Sequence, residues 1–366
     1  MSFLASIIPS VVVLGLLIII HEFGHFIACR LTGVKVEKFS IGFGPEIIHW
    51  QGRETRFAVS LFPLGGFVKP FGESVGELDA EGPKAGDYLA APLFARMFIV
   101  AAGVAMNYIL AIVLFTSVFM MGRPIPGTTI GGFVDGYPAK VSGLQMGDRI
   151  LQVNGHESRT WKQLMEYLDE APDAPVVLQI ARQEQVQTVQ ITPKVEDLKD
   201  VFGNPLKLKR LGITPDPKAN EFEKYGFLGS LKESWNTVVF MAATTHKALF
   251  YLIIGKLSLK AISGPIGIIS MTGNAVHLGF TYLLQLTATL SVSLAVINLL
   301  PVPALDGGHL FFLIIEGIRR KRVSLVFQER AAQVGFFLLL TLMGFIIYND
   351  LVNVGAFGKL QQLIPH

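Results

Sequence analysis

His21-Glu22-Phe23-Gly24-His25 follows directly on the apolar run Val11 to Ile20 and matches H-E-x-x-H. On a helix the two histidines are one turn apart on one face, so both imidazoles reach a single cation. Glu22, about 100° round the axis, stands beside that cation as a base rather than a ligand. A catalytic zinc takes three protein ligands and keeps one position for water. The metzincin route to a third ligand fails, because positions 28 and 31 hold Ala28 and Leu31 instead of glycine and histidine. Among the acidic residues Asp306 is the best candidate, since it sits in an otherwise apolar stretch where an unpaired carboxylate is costly. His309, three residues on, reads as a loop or supporting group. Cys29, one turn past His25, reads as a small buried residue, and Asn107 as a helix-to-helix hydrogen bond inside an apolar run.

The elements that must carry these groups are membrane helices. The chain has 366 residues, 51% hydrophobic and 16% charged, with mean hydropathy +0.49, a balance outside the soluble globular range. The formal charge of +3 is nearly balanced and no basic run interleaves with aromatics, which excludes a nucleic-acid partner. One cysteine excludes an internal disulfide framework. The first twenty residues lack a basic n-region and a small-residue cleavage site, so they read as a retained span.

Four spans are expected, at about 4 to 30, 94 to 121, 280 to 300 and 331 to 349. Arg30, Lys35 and Lys38 follow the first span, and Arg319-Arg320-Lys321-Arg322 precede the last, so both places face the cytoplasm. Val238 to Ile254 is apolar, but His246 and Lys247 in its middle would cost about 2.5 to 3.5 kcal/mol at a bilayer centre. An extra crossing would also separate Asp306 from His21, so residues 221 to 262 are read as surface or interfacial amphipathic helix. Short β-prone pieces from 34 to 72 suggest an antiparallel meander at the membrane, followed by a polar loop over 73 to 92.

The fold class is thus an α-helical multi-pass membrane protein with four transmembrane helices, a membrane-associated β-meander and one inserted α+β domain. The division runs 1–33, first span with H-E-x-x-H; 34–92, β-rich region and cytoplasmic loop; 93–122, second span; 123–217, extracytoplasmic inserted domain. It continues with 218–279, extracytoplasmic or interfacial amphipathic helices; 280–310, third span and the Leu305-Asp306-Gly307 loop; 311–366, basic loop, fourth span and tail.

Within the insert, Ala139 to Gly155 places turns at Gly143 and Gly147, a strand at Arg149 to Val153 and a hairpin turn at Asn154-Gly155. A helix from Trp161 to Asp169 and strands Val176 to Arg182 and Gln185 to Ile191 follow. This stretch resembles a bacterial PDZ domain, which binds peptide C-termini or extended segments, with Leu211-Gly212-Ile213 in the place of the carboxylate-binding turn.

His21 to His25 in the first span, Gly42-Phe43-Gly44-Pro45, the PDZ insert and N-x-x-P-x-P-x-x-D-G from Asn298 to Gly307 together resemble the site-2 protease family of intramembrane zinc metalloproteases. The nearest group is the bacterial regulator of sigma-E protease type. That resemblance implies a Zn2+ held by His21, His25 and Asp306, Glu22 as general base, and Asn298, Pro301 and Pro303 lining the substrate path. It implies cleavage of transmembrane segments of single-pass proteins, an anti-sigma factor or remnant signal peptide, in the bacterial cytoplasmic (inner) membrane. The lipid bilayer is the remaining partner. This chain carries one PDZ domain where the best-known members have two in tandem. An unwound substrate is expected to add as a strand beside Gly66, Phe67 and Val68. Two other readings remain open: a catalytically silent PDZ-bearing scaffold, which has no need of Glu22, and a metal transporter, which needs a polar path and a second ligand cluster.

Overall fold

The computed structural model describes residues 3–73, 82–172, 174–199, 203–258 and 263–353. Its helices are α1 (Phe3–Thr32), α2 (Leu93–Met121), α3 (Trp161–Glu170), α4 (Phe227–Ile253), α5 (Pro265–Leu278), α6 (Phe280–Asn298), α7 (Asp306–Arg319) and α8 (Leu325–Asn353). Among the described residues, four helices are long and apolar enough to cross a membrane: Ala5–Thr32, Leu93–Met121, Phe280–Asn298 and Leu325–Val352. Part of the expected polar loop over 73 to 92 and the tail after 353 lie outside the described residues. The described residues form two compact units, those within Met1–Val118, Phe227–Ile253 and Ser258–His366, and those within Phe119–Gly226 and Ile254–Leu257.

In the first unit the β region consists of β1 (Val36–Gln51) and β2 (Arg56–Pro70), paired antiparallel. It is not a meander. Lys38 to Ile41 pair with Arg56 to Val59 on one side and with Gly66 to Lys69 on the other, while Ile48 to Gln51 pair with Arg56 to Val59. Both long strands double back, so 38 to 41 lie inside the sheet and 66 to 70 form an edge. The first leg is the buried one, with Val36, Phe39 and Ser40 all shielded, and Gly42 and Gly44 at φ +89° and +88° let the strand fold away from it. Lys38 and Arg56 both bind Glu46 and hold its carboxylate down to about 2, which pins the returning leg.

Two expectations for the helices change. Residues 265 to 278 are not surface amphipathic helix: α5 buries Thr272, Gly273 and Ala275, and a side chain at Gly273 would overlap Ser6 of α1. Its first turn is capped by Asp350 of α8, which accepts from the N–H groups of Gly264 (3.1 Å) and Gly267 (3.0 Å), an anion at a helix N-terminus. The irregular stretch after α6 is also shorter than expected. Asp306 opens a helix, α7, because Pro301 and Pro303 end α6 and an acidic residue suits a first turn. Side chains at Gly307 and Gly308 would overlap the carbonyls of Leu299, Leu300 and Val302, so the connecting loop folds back onto a bare first turn.

The second unit contains β3 (Arg123–Pro126), β4 (Ile130–Phe133), β5 (Arg149–Val153), β6 (His156–Glu157), β7 (Val176–Arg182), β8 (Gln185–Ile191), β9 (Lys194–Lys199), β10 (Pro205–Arg210), β11 (Ile213–Pro215) and β12 (Asn220–Glu223). The main sheet has the order β6-β5-β7-β8, and β3 with β12, β4 with β11 and β9 with β10 form two-stranded pairs. Alternating residues of β7, Val176, Leu178 and Ile180, meet Leu164 and Leu168 of α3 in the core. Asn154 and Gly155 both take positive φ in the expected hairpin turn, and Gly212 takes φ +82°. The β9-β10 hairpin between β8 and Leu211 is an element the sequence reading lacked.

Asp148 is 1% exposed and takes two bonds from Arg182 at 2.7 Å each and one from the Gln145 N–H. Burial raises its carboxyl, but the Arg182 fork and the Gln145 N–H outweigh it and hold the pKa below the ordinary value. The stabilisation is therefore complete above the ordinary carboxylate range and is lost as pH falls through the depressed value. Replacing Arg182 by Met leaves Asp148 buried without its fork and is expected to destabilise this unit near neutral pH. Pulse proteolysis in urea should show that loss, and should show it shrinking in acid.

Candidate metal centre

His21 and His25 lie on the same face of α1, with ring centroids 4.8 Å apart, and α2 sets both rings. His25 Nδ1 is 2.8 Å from the Ile99 carbonyl, which can only accept, so Nδ1 carries the hydrogen and Nε2 of the neutral ring is a bare lone pair. His21 Nδ1 lies 3.3 Å from the side-chain amide of Asn107, a residue with no exposed surface whose backbone carbonyl accepts from Ser291 of α6. A 180° rotation of that amide presents Oδ1 to an Nδ1–H, leaving His21 Nε2 free in the same way. Gly103, one turn before Asn107, is where a side chain would run into both rings. Gly24 of α1 reciprocates, since a side chain there would overlap the Ala102 carbonyl.

Asp306 reaches this point from the first turn of α7. Its Oδ2 is 3.0 Å from His21 Nε2 and 3.4 Å from His25 Nε2, and the two Nε2 atoms are 3.3 Å apart. Among the described residues these three form the group able to hold a metal ion. Asp306 Oδ2 is buried with no hydrogen donor. Bonds of about 2.0 Å to a tetrahedral zinc separate neighbouring ligand atoms by about 3.3 Å, so the three observed separations fit that ion. The structure thus brings together the three residues that the sequence reading picked as ligands.

Glu22 points into the adjoining space, close to the backbone of Val68. A side chain on Gly66 would come within 3.4 Å of Glu22 Cγ, so the edge of β2 lies directly against Glu22. A cavity of about 340 Å³ opens here and continues along one face of α7, Asp306, His309, Leu313 and Glu316, with Phe67, Val68 and Cys29 also in its wall. His309 therefore faces the same space as Glu22. The Asn298 amide lies 3.4 Å from His21 Nε2. Pro301 and Pro303 are elsewhere, on a cavity of about 600 Å³ that they share with Phe327, Val334 and Leu338 of α8.

Residues 9–342 match the profile of peptidase family M50. The chain belongs to that family. A relative from Agrobacterium fabrum, named "putative zinc metalloprotease", is 33% identical over 361 residues, covering 95% of this chain and 96% of its own. Relatives of the same description from Clostridium acetobutylicum and Campylobacter jejuni are 34% and 33% identical, covering 96% and 95% of this chain and 98% and 93% of theirs. A solved PDZ domain from Listeria monocytogenes aligns at 20% identity with TM-score 0.19, over 25% of this chain and 87% of that domain.

Sequence reasoning gave Asn107 chiefly to a helix-to-helix hydrogen bond and Gly103 to a small-residue packing face, and passed over the Ile99 carbonyl. The available signal was Gly103 and Asn107 one turn apart in an apolar helix, which gives a bare patch beside a polar group. Gly103→Ala should push the rings off their positions, and the purified variant should carry far less than one zinc per chain by elemental analysis. A control at an exposed position of α2, Ala105→Ser, should leave the zinc content unchanged.

Proposed function

We propose that this M50 peptidase is an intramembrane zinc endopeptidase that cuts transmembrane segments of single-pass membrane proteins. His21, His25 and Asp306 hold the zinc and Glu22 is the general base. One observation carries the reading: His21 Nε2, His25 Nε2 and Asp306 Oδ2 converge within 3.4 Å of one another beside Glu22, at the spacing of the ligands of a single ion. The enzyme is a zinc metalloprotease, and when bound the zinc lowers the pKa of water toward about 7 and polarises the scissile carbonyl.

The residues of the chain do the rest. The Glu22 carboxylate, close to the backbone of Val68, takes a proton from the attacking water and returns it to the leaving amide nitrogen. A substrate helix hides its carbonyls in its own hydrogen bonds, so it must unwind before it is cut. The outer edge of β2 at Gly66, Phe67 and Val68 offers it backbone partners next to the base, and Asn298 offers an amide beside His21. Pro301 and Pro303 border the route from the lipid side, against α8.

The site belongs at the cytoplasmic side of the bacterial inner membrane, in keeping with Arg30, Lys35, Lys38 and the basic run Arg319 to Arg322. The insert, read as a PDZ domain from its turn and strand pattern, faces outside and takes peptide termini or extended segments. Anti-sigma factors and remnant signal peptides are the substrate classes this topology suits.

Wild-type and Glu22→Gln enzymes in detergent should be compared on a model single-span substrate. Glu22→Gln is expected to lose about 100-fold or more of the cleavage rate while keeping one zinc per chain, and Asp306→Asn is expected to lose both zinc and cleavage. Undiminished cleavage by either variant would overturn the assignment, and cleavage confined to soluble peptides would overturn the substrate class.

A further inference from the structure

Arg96 of α2 and Glu316 of α7 form a buried ion pair, with side chains 5% and 12% exposed. The pair is bidentate: one guanidinium nitrogen donates to Oε2 at 3.1 Å and the other, more tightly, to Oε1. Arg96 Nε also donates to the Ala91 carbonyl at 3.2 Å, so the guanidinium is tied to the turn that leads into α2 as well. Arg322 approaches Glu316 from the far side, with Nε 3.7 Å from Oε1, while another of its nitrogens donates to the Leu89 carbonyl.

The spacing on the two helices gives the pair its meaning. On α2, Arg96, Ile99, Gly103 and Asn107 follow one another at intervals of three, four and four, which places all four on one face. Ile99 holds His25, Asn107 meets His21, and Gly103 admits both rings. On α7, Asp306 and Glu316 share the face that lines the cavity, ten residues or about 15 Å apart. Arg96 and Asn107 are about 16 Å apart on α2. The two helices thus touch through the ion pair at one end, and at the other the imidazoles of α1 stand between them, held by α2 and met by Asp306 of α7. A slip of α7 by a single residue would move Asp306 by about 1.5 Å, whereas metal-ligand distances tolerate about 0.2 Å.

We propose that Arg96 and Glu316 are positioning residues that set the axial register of α7 on α2, and so bring Asp306 to the distance at which it completes the metal site with His21 and His25. The rigid fork of an arginine bound to both carboxylate oxygens resists sliding in a way that apolar side chains, which repack, do not. The face of α2 from Arg96 to Asn107 is then one alignment rail that registers α1 through the imidazoles and α7 through Glu316. The inference rests on the ligand assignment above.

The test is zinc affinity of the full chain in detergent, by competition with a graded chelator, beside the thermal midpoint of the same sample. Removing one partner leaves a buried unpaired charge and can unfold the protein, so the decisive variant is R96M/E316L, which replaces the pair by apolar groups of similar volume. The positioning role predicts a thermal midpoint close to wild type with zinc bound about tenfold more weakly, as for other groups that orient metal ligands. Zinc affinity within threefold of wild type in a folded R96M/E316L overturns the proposal, and a loss of threefold or more supports it. Should that variant fail to fold, Arg96→Lys, which keeps the charge without the fork, is judged by the same threefold line. Asp306→Asn runs alongside: if it binds zinc as tightly as wild type, the ligand assignment itself fails, an outcome distinct from failure of the positioning role alone.

Discussion

Two imidazole nitrogens and a carboxylate oxygen meet within 3.4 Å in the low-dielectric interior of a helix bundle. With both rings neutral and their Nε2 lone pairs turned to Asp306, such an arrangement is repulsive by itself, and burying the Asp306 charge adds a desolvation cost of several kcal/mol. A metal cation at the common point turns the three repulsions into attractions. The second nitrogen of each ring has a partner on α2, which fixes the orientation of the ring. Much of the membrane unit can be understood as what it takes to hold this arrangement.

Close approach is the first requirement, and glycine supplies it. Gly24 lets α1 sit on the backbone of α2, Gly103 makes room for the rings, and Gly307 with Gly308 lets the loop after α6 fold onto the start of α7. At each place a methyl group would overlap backbone or ring atoms. Asp306-Gly307-Gly308 therefore joins two things in three residues, a carboxylate that reaches both histidines and the space that lets its loop close. Register is the second requirement. Hydrocarbon does not drive helices together by exclusion from water, so axial position inside a membrane depends on directional polar contacts. Arg96 with Glu316, Asp350 with the first turn of α5, and Ser291 with Asn107 are contacts of that kind.

The doubled-back sheet adds the reacting geometry. Its edge strand runs past Glu22, with Gly66 packed against the Glu22 side chain and Val68 close by. In the proposed reading, base and docking edge are held as one body, so a peptide aligned on the edge would be aligned with Glu22 as well. The cavity continuing along α7 gives that peptide and water a polar wall in an otherwise apolar surrounding.

The sequence by itself determined the chemistry. The four-residue spacing of His21 and His25, the apolar lengths that become spanning helices, the strand and turn pattern of residues 149 to 191, and the isolation of Asp306 are all local signals, and local geometry makes them readable. Even the partnership of Asp306 with the histidines was legible, because an unpaired carboxylate there had no other account. What only the tertiary structure decided is how these pieces meet: the strand order that puts 38 to 41 inside the sheet, α5 packed under Asp350, and α2 as the helix that orients both imidazoles. Asn107 meets its histidine across 86 residues, and Arg96 meets Glu316 across 220. Contacts at that separation depend on which helix faces lie together, and an apolar helix surrounded by lipid carries little periodicity to say which face that is.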